Sequence, residues 1–291
     1  MFKIKVLFFC YSFFAIPFWA NSQQRLKRAE SFLGFHFDFH ATAADKSLGS
    51  CFDTALLANF LKRTRPDYIQ IDSKGHPGYS SYPTSVGYSA NSFVKDPMRI
   101  WRDVTNQFNV PLYVHYSGLW DDKGIHENPH WGRRNAKGII DSTKAAYLGG
   151  YAEKLMIPQL KEMIDTYNID GAWVDGDCWS TAPDYSPEVV KGFLDETGLK
   201  KVPVSAADIN YKKWIEYNRV IYRRYLKNYV DKLHSYKPDF QIASNWAYSS
   251  MMPEKVDVNV DFLSGDVSGQ NGLYSAACQA RCLALQGKPW D

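Results

Sequence analysis

The chain has 291 residues, 45% hydrophobic and 15% aromatic, with 34 Lys and Arg against 31 Asp and Glu. That length admits one large domain with a real core. The near balance of charge, with basic residues scattered rather than blocked, excludes an electrostatic nucleic-acid surface. Five cysteines dispersed over this length do not make a small disulfide scaffold.

The N-terminus carries Lys3 and Lys5, then an uncharged apolar run over 6–19, then Ala20-Asn21-Ser22. This pattern reads as a secretory signal over 1–22, and the run is short for a membrane span. The expectation is an exported protein, periplasmic or secreted, with no membrane partner once the signal is removed and 23–291 forming one domain. Cys10 leaves with the signal. Cys278 and Cys282 are four apart on a predicted helix and lack partners for a zinc site.

A strand is predicted over 32–40 and a helix over 53–62. A second strand covers 67–72. The next helix, 96–108, opens with Asp96 as cap and Pro97 in its first turn. A third strand follows at 110–117. A long helix is expected over 147–167, with Leu155, Ile157, Leu160, Met163 and Ile164 on its apolar stripe and Pro158 kinking or dividing it. The fourth strand is 171–177, followed by helices at 186–196 and 211–236. Strands at 240–246 and 261–266, a helix at 273–286 and the start of a seventh strand at 288–291 complete the list.

Alternating strands and helices imply a parallel sheet with right-handed crossovers. Polar groups collect at the strand ends: His40, Asp72, Ser117, Asp177, Asn245 and Asp266. Functional groups at many C-terminal strand ends fit an α/β fold of the (β/α)8 TIM-barrel type better than a doubly wound sheet. No Gly-x-Gly-x-x-Gly follows the first strand, against a dinucleotide fold. Six strands and a beginning fall short of eight, so a barrel truncated at its C-terminus is favoured over a misread closure.

The chemistry concentrates in Asp170-Gly171-Ala172-Trp173-Val174-Asp175-Gly176-Asp177-Cys178-Trp179. Strand alternation puts Trp173, Asp175 and Asp177 on one face. Carboxylates at a strand tip beside rings that stack on sugars suit glycosidic-bond chemistry; turn-forming Asp and Gly at a strand end is the plainer alternative. In the first strand, Phe35, Phe37 and Phe39 share one face and His36, Asp38 and His40 the other. The polar face reads as a substrate-binding row lining the interior. Asp38-x-His40 also resembles the His-x-His strand of metal-dependent amidohydrolases. That family needs further histidines on its fifth and sixth strands, where Asn245 and Asp266 stand here, so a metal-dependent hydrolase is kept as the alternative and no metal or cofactor is expected. The loop after the second strand offers Lys74, His76 and Tyr79 as donors to hydroxyls, and Trp120 after the third strand is a candidate stacking wall.

Four segments together resemble the α-L-fucosidases of glycoside hydrolase family 29. They are Phe35-His36-Phe37-Asp38, Lys74-Gly75-His76-Pro77-Gly78-Tyr79, Pro111-Leu112-Tyr113-Val114-His115-Tyr116-Ser117 and Trp173-Val174-Asp175-Gly176-Asp177-Cys178-Trp179. The likeness covers about 34–179, and its most specific part is the Trp-x-Asp-Gly segment. The resemblance implies retaining hydrolysis that removes terminal α-L-fucose from oligo- or polysaccharides, with Asp175 as nucleophile and no cofactor. A second carboxyl protonates the leaving oxygen. Asp266 is the first candidate for that acid/base, Glu254 the alternative and Asp177 the third. Substrate-binding candidates are His36, Asp38, His40, Lys74, His76, Tyr79, Trp120, Trp173, Asp177, Trp179, Asn245 and Trp246. Two departures bear on which sugar fits. The family's paired loop histidines become Gly75-His76, and its first-strand histidine becomes Asp38 or shifts to His36. A non-catalytic sugar-binding barrel remains a further alternative.

Overall fold

The computed structural model describes residues 24–177, 182–245, 255–266, 270 and 272–291. The signal-sequence reading of 1–22, and the candidates Trp179, Trp246 and Glu254, lie outside the described residues.

In chain order the regular elements begin with β1 (Gly34–Phe37), α1 (Thr54–Thr64), β2 (Tyr68–Lys74), β3 (Tyr79–Ser80), β4 (Tyr88–Ser89), α2 (Pro97–Gln107), β5 (Leu112–Ser117) and α3 (Asp122–Glu127). Next come β6 (Gly132–Arg134), β7 (Ile140–Ala145), α4 (Ile157–Tyr167), β8 (Gly171–Asp175), α5 (Pro187–Thr197), α6 (Tyr211–Tyr236), β9 (Gln241–Ser244) and α7 (Gly272–Ala284). Local chemistry sets the helix ends. The Asp53 carboxylate accepts from the Ala55 and Leu56 N–H groups and starts α1, and Asp96 does the same for Arg99 in α2. Gly198, at φ 69°, ends α5 in the left-handed conformation that lacks a Cβ penalty. The expected long helix changes character at Pro158 without a break: residues Ala152–Met156 form a π-helical turn that runs directly into α4, with Met156 and Ile157 both in the right-handed helical region and the Ile157 N–H bonded to the Ala152 carbonyl. The wider π turn just before Pro158 accommodates a residue that cannot donate a helix hydrogen bond.

The fold is mixed α/β. Strands β1, β2, β5, β8 and β9 pair in parallel in that order, and β3 adds antiparallel to the tip of β2. Both faces of the parallel sheet are covered, as its apolar sequence demands. On one side Ile69, Ile71, Val114, Ala172, Val174 and Ile242 meet helix residues such as Leu160, Ile164, Leu226 and Tyr229 in the main core. Each such aliphatic side chain contributes about 1.5–3 kcal/mol by leaving water. On the other side Tyr113, Trp173, Ala243 and Phe262 form a second cluster with Tyr68, and the Arg28 guanidinium lies 3.6 Å above the Tyr68 ring.

Among the described residues the sheet is open, with no closed barrel. Two expectations change. The predicted sixth strand is reduced to an extended segment: Asp261 donates to the Ile242 carbonyl, and Leu263 pairs in parallel with Trp290 in a single bridge. The fourth strand ends at Asp175 rather than Asp177, because Gly176 takes φ 78° and turns the chain. The β6–β7 hairpin and α3 were not anticipated, since their short polar segments carry no long apolar period.

Candidate active site

The register of the sheet assembles the site at the C-terminal ends of its strands. His115 lies beside Asp72 on β2 and beside Trp173 on β8. Its Nδ1 is 2.5 Å from Asp72 Oδ1, and its Nε2 is 3.2 Å from Asp175 Oδ2. Burial works against charge on this imidazole. The two carboxylates overcome that and push its pKa up to about 10. His115 is therefore an imidazolium clamped between two acids at neutral pH.

Asp175 sits at the tip of β8, mostly buried. The Gly176 N–H donates to its Oδ1 at 2.6 Å, and the Asn245 amide donates to the same oxygen. Burial opposes its ionisation, but the His115 hydrogen bond and charge, the nearby His76 and the Gly176 N–H outweigh burial and hold the carboxyl below its ordinary range. This is an ionised, oriented carboxylate. Asp266, exposed at the surface within electrostatic reach of Asp175, is displaced the other way: partial loss of hydration and then the negative charge of Asp175 raise its pKa. Two carboxyls pushed apart by their surroundings are what acid and nucleophile roles require.

His76 stands 3.5 Å from Asp175 Oδ2 through Nε2, while its Nδ1 lies 2.6 Å from Ser117 Oγ. Burial lowers its pKa to about 4, so it is neutral. The Ser117 hydroxyl donates to the Trp120 carbonyl, so it must accept from His76 Nδ1–H. That assigns the tautomer and leaves Nε2 bare, an acceptor facing the space beside Asp175 that suits a hydroxyl donor. His40 completes the wall: its ring stacks parallel on His115 at 5.3 Å and meets His76 edge-on at 4.9 Å. Gly75 makes this possible. A Cβ there would lie 2.4 Å from His40 Cγ. His40 thus occupies space beside the position where the family motif has the first of its paired histidines.

The structure gathers His36, Asp38, His40, His76, Trp173, Asp175 and Asn245 around this centre. His36 lies 5.7 Å from His115 and 5.6 Å from Trp173 between ring centres, and burial followed by the charge on His115 lowers its pKa to about 4. Asp38 is held down at about 2 by its bond with His40. Trp173 is buried floor, its indole N–H given to the Ser264 carbonyl at 3.0 Å.

Four sequence assignments are corrected. Asp177 does not share a face with Asp175: the Gly176 turn drives it into the main core, where it accepts from Tyr225, Tyr229 and Ser244 hydroxyls at 3.0 Å each and from Leu119 N–H at 3.2 Å. It is not a substrate ligand or an acid/base. Lys74 is fully buried and donates to Asp121 Oδ2 at 2.7 Å and to the Tyr151 hydroxyl at 3.0 Å, so it points away from the centre. Tyr79 lines a separate cleft of about 700 Å³ with Pro77, Asp122, Lys123 and His126. Trp120 is at the site, but its ring is taken: His76 stacks at 4.3 Å with a 6° tilt, and the Lys144 ammonium lies 3.1 Å from its centre. A flat partner and a cation at those distances need opposite faces. Trp120 therefore holds His76 rather than stacking on a sugar. Sequence reasoning left His115 without a role and Asp72 as a strand-end group only. Their signal was register: both lie on the inward parity of neighbouring parallel strands.

Residues 15–261 match the family model described as alpha-L-fucosidase. The chain belongs to the alpha-L-fucosidase family. An alpha-L-fucosidase of Dictyostelium discoideum is 25% identical over 136 residues, 46% of this chain and 28% of that protein. Alpha-L-fucosidase isoenzyme 2 from Paenibacillus thiaminolyticus shares the fold with a TM-score of 0.63 at 19% identity, over 77% of this chain and 34% of that one. The chain thus spans about a third or less of either relative's length.

Proposed function

We propose that the protein is an exported retaining glycoside hydrolase that removes terminal α-L-fucose from oligo- or polysaccharides. The observation that carries this reading is Asp175, an ionised carboxylate fixed at the tip of β8 by His115, Gly176 and Asn245, in a chain of the alpha-L-fucosidase family. Asp175 attacks the anomeric carbon. Asp266, raised by partial loss of hydration and by the charge of Asp175, protonates the leaving oxygen and then takes a proton from the attacking water. As Asp175 loses charge in the glycosyl-enzyme, the pressure on Asp266 falls, which favours its second role as base. His76 Nε2 accepts a sugar hydroxyl, with Trp120 fixing the ring. The five parallel strands, with polar groups at their C-terminal tips, support reading the sheet as part of a (β/α)8 catalytic barrel. The basic and apolar pattern of 1–22 supports export.

The test is nitrophenol release from an aryl α-L-fucoside by the wild type beside Asp175→Asn. Release by the wild type alone supports the assignment. Equal release by both overturns the role of Asp175, and no release by a folded wild type overturns the sugar.

A further inference from the structure

The geometry points to a divalent transition-metal site, of the zinc class, formed by Asp38, His40, Asp72 and His115. One ligand atom from each of these four residues lies within 4.8 Å of the other three. A tetrahedral ion with ligands at about 2.1 Å separates them by about 3.4 Å, so small side-chain adjustments close the shell. Two imidazole nitrogens and two carboxylates are a donor set that suits zinc and its neighbours and balances a 2+ charge.

A second observation is independent of the clustering. Asp72 is only 5% exposed, and its Oδ2 is buried with no hydrogen-bond partner. A buried carboxylate oxygen without a protein partner is costly, and a bound cation at this position would satisfy it. The neighbouring groups are arranged for one. His115 Nε2 lies 3.2 Å from Asp175 Oδ2, and its Nδ1 lies 2.5 Å from Asp72 Oδ1, so an ion bound there would replace the Nδ1 proton, releasing it to solvent, while Nε2–H stays on Asp175. A carboxylate on the far nitrogen of a ligating histidine is the usual means of fixing its tautomer. Asp175 takes that place here. The His40 ring lies parallel to His115, seated by the absence of a side chain at Gly75. Asp38 is exposed, and with Asp72 it lines a cavity of about 460 Å³ that gives the ion a path from solvent. The site goes beyond the glycosidase reading, whose chemistry uses no metal, and stands without it.

The full chain, stripped with chelator, is titrated with Zn²⁺ by calorimetry and with Co²⁺ by visible absorption. The expected result is one ion per chain, a Co²⁺ spectrum of tetrahedral intensity and a raised Tm with Zn²⁺. Asp38→Asn and His40→Asn, both on the solvent side, should each weaken binding about tenfold or more while the metal-free circular dichroism is unchanged. Gly75→Ala should also weaken it, by displacing the His40 ring. No binding up to about 1 mM ion, or stoichiometric binding unaffected by both side-chain variants, overturns the site. None of these readouts uses turnover, so failure of the glycosidase reading is seen separately.

Discussion

The reassignment of Asp177 from sugar ligand to core acceptor makes a sharp prediction about stability. Its two oxygens take four donors, from Tyr225, Tyr229, Ser244 and Leu119, joining the β5–α3 connection and the tip of β9 to the middle of α6. Asp177→Ala removes every acceptor at once. A buried donor left unsatisfied costs about 1–3 kcal/mol, and the three hydroxyls retain some freedom to turn elsewhere, so the loss should be about 3–5 kcal/mol. For a domain of this size that is a fall in Tm of about 5–9 °C. Asp177→Asn keeps one oxygen and the shape, and should lose less. The dependence on pH separates the two variants. Burial outweighs the four hydrogen bonds and raises the Asp177 pKa to about 7. A carboxyl raised on folding contributes stability that is present below its unfolded value, near 3.8, and is lost as pH rises through about 7. The advantage of wild type over Asp177→Asn should therefore shrink between pH 4 and pH 7 and be flat outside that window. Urea titrations followed by circular dichroism at pH 4, 5.5, 7 and 8 measure this. A Tm change below about 2 °C for Asp177→Ala, or a wild-type advantage that grows with pH, would refute the reasoning.

Asp175→Asn should cut turnover of an aryl fucoside about a thousandfold or more while Tm stays within a few degrees, read by nitrophenol release and thermal melting. Lys74→Met strands the Asp121 carboxylate in the core and should cost about 3–5 kcal/mol in a denaturant titration; if Lys74 instead bound sugar, KM would rise without that loss. Trp120→Ala should lower kcat by releasing His76, with Trp120→Phe restoring most of it because a flat ring remains; a pure rise in KM would instead favour direct stacking on the sugar.

What the sequence disclosed was whatever a local period or a strong end signal encodes. The cap at Asp96, the 26 residues of α6 and the five parallel strands follow from such signals. The placement of Asp175 at a strand tip was legible for the same reason. Asp177 was misjudged because alternation was carried one residue past Gly176, whose positive φ ends the strand. Lys74 was misjudged because a buried lysine depends on a distant acid, Asp121, that no local pattern announces. His115 was given no role for the converse reason: its importance comes from register with Asp72 and Trp173, which belongs to the sheet rather than to any one strand.

The same logic explains why the two departures from the family motif belong together. Loss of a side chain at 75 would, alone, leave a hole beside His76. The structure fills it with the ring of His40, carried by the irregular segment after β1, and the 2.4 Å approach to the absent Cβ shows that the two positions exclude one another's larger residues. Asp38 then follows His40, its partner at 3.1 Å. The wall opposite Asp175 has thus been rebuilt from β1 and its following segment, with two carboxylates, Asp38 and Asp72, in a region that otherwise presents imidazoles. Negative charge there attracts either hydroxyl donors or a cation. Asp72 buries an oxygen without a hydrogen-bond partner among the described residues, and a cation held by Asp38, His40, Asp72 and His115 would satisfy it.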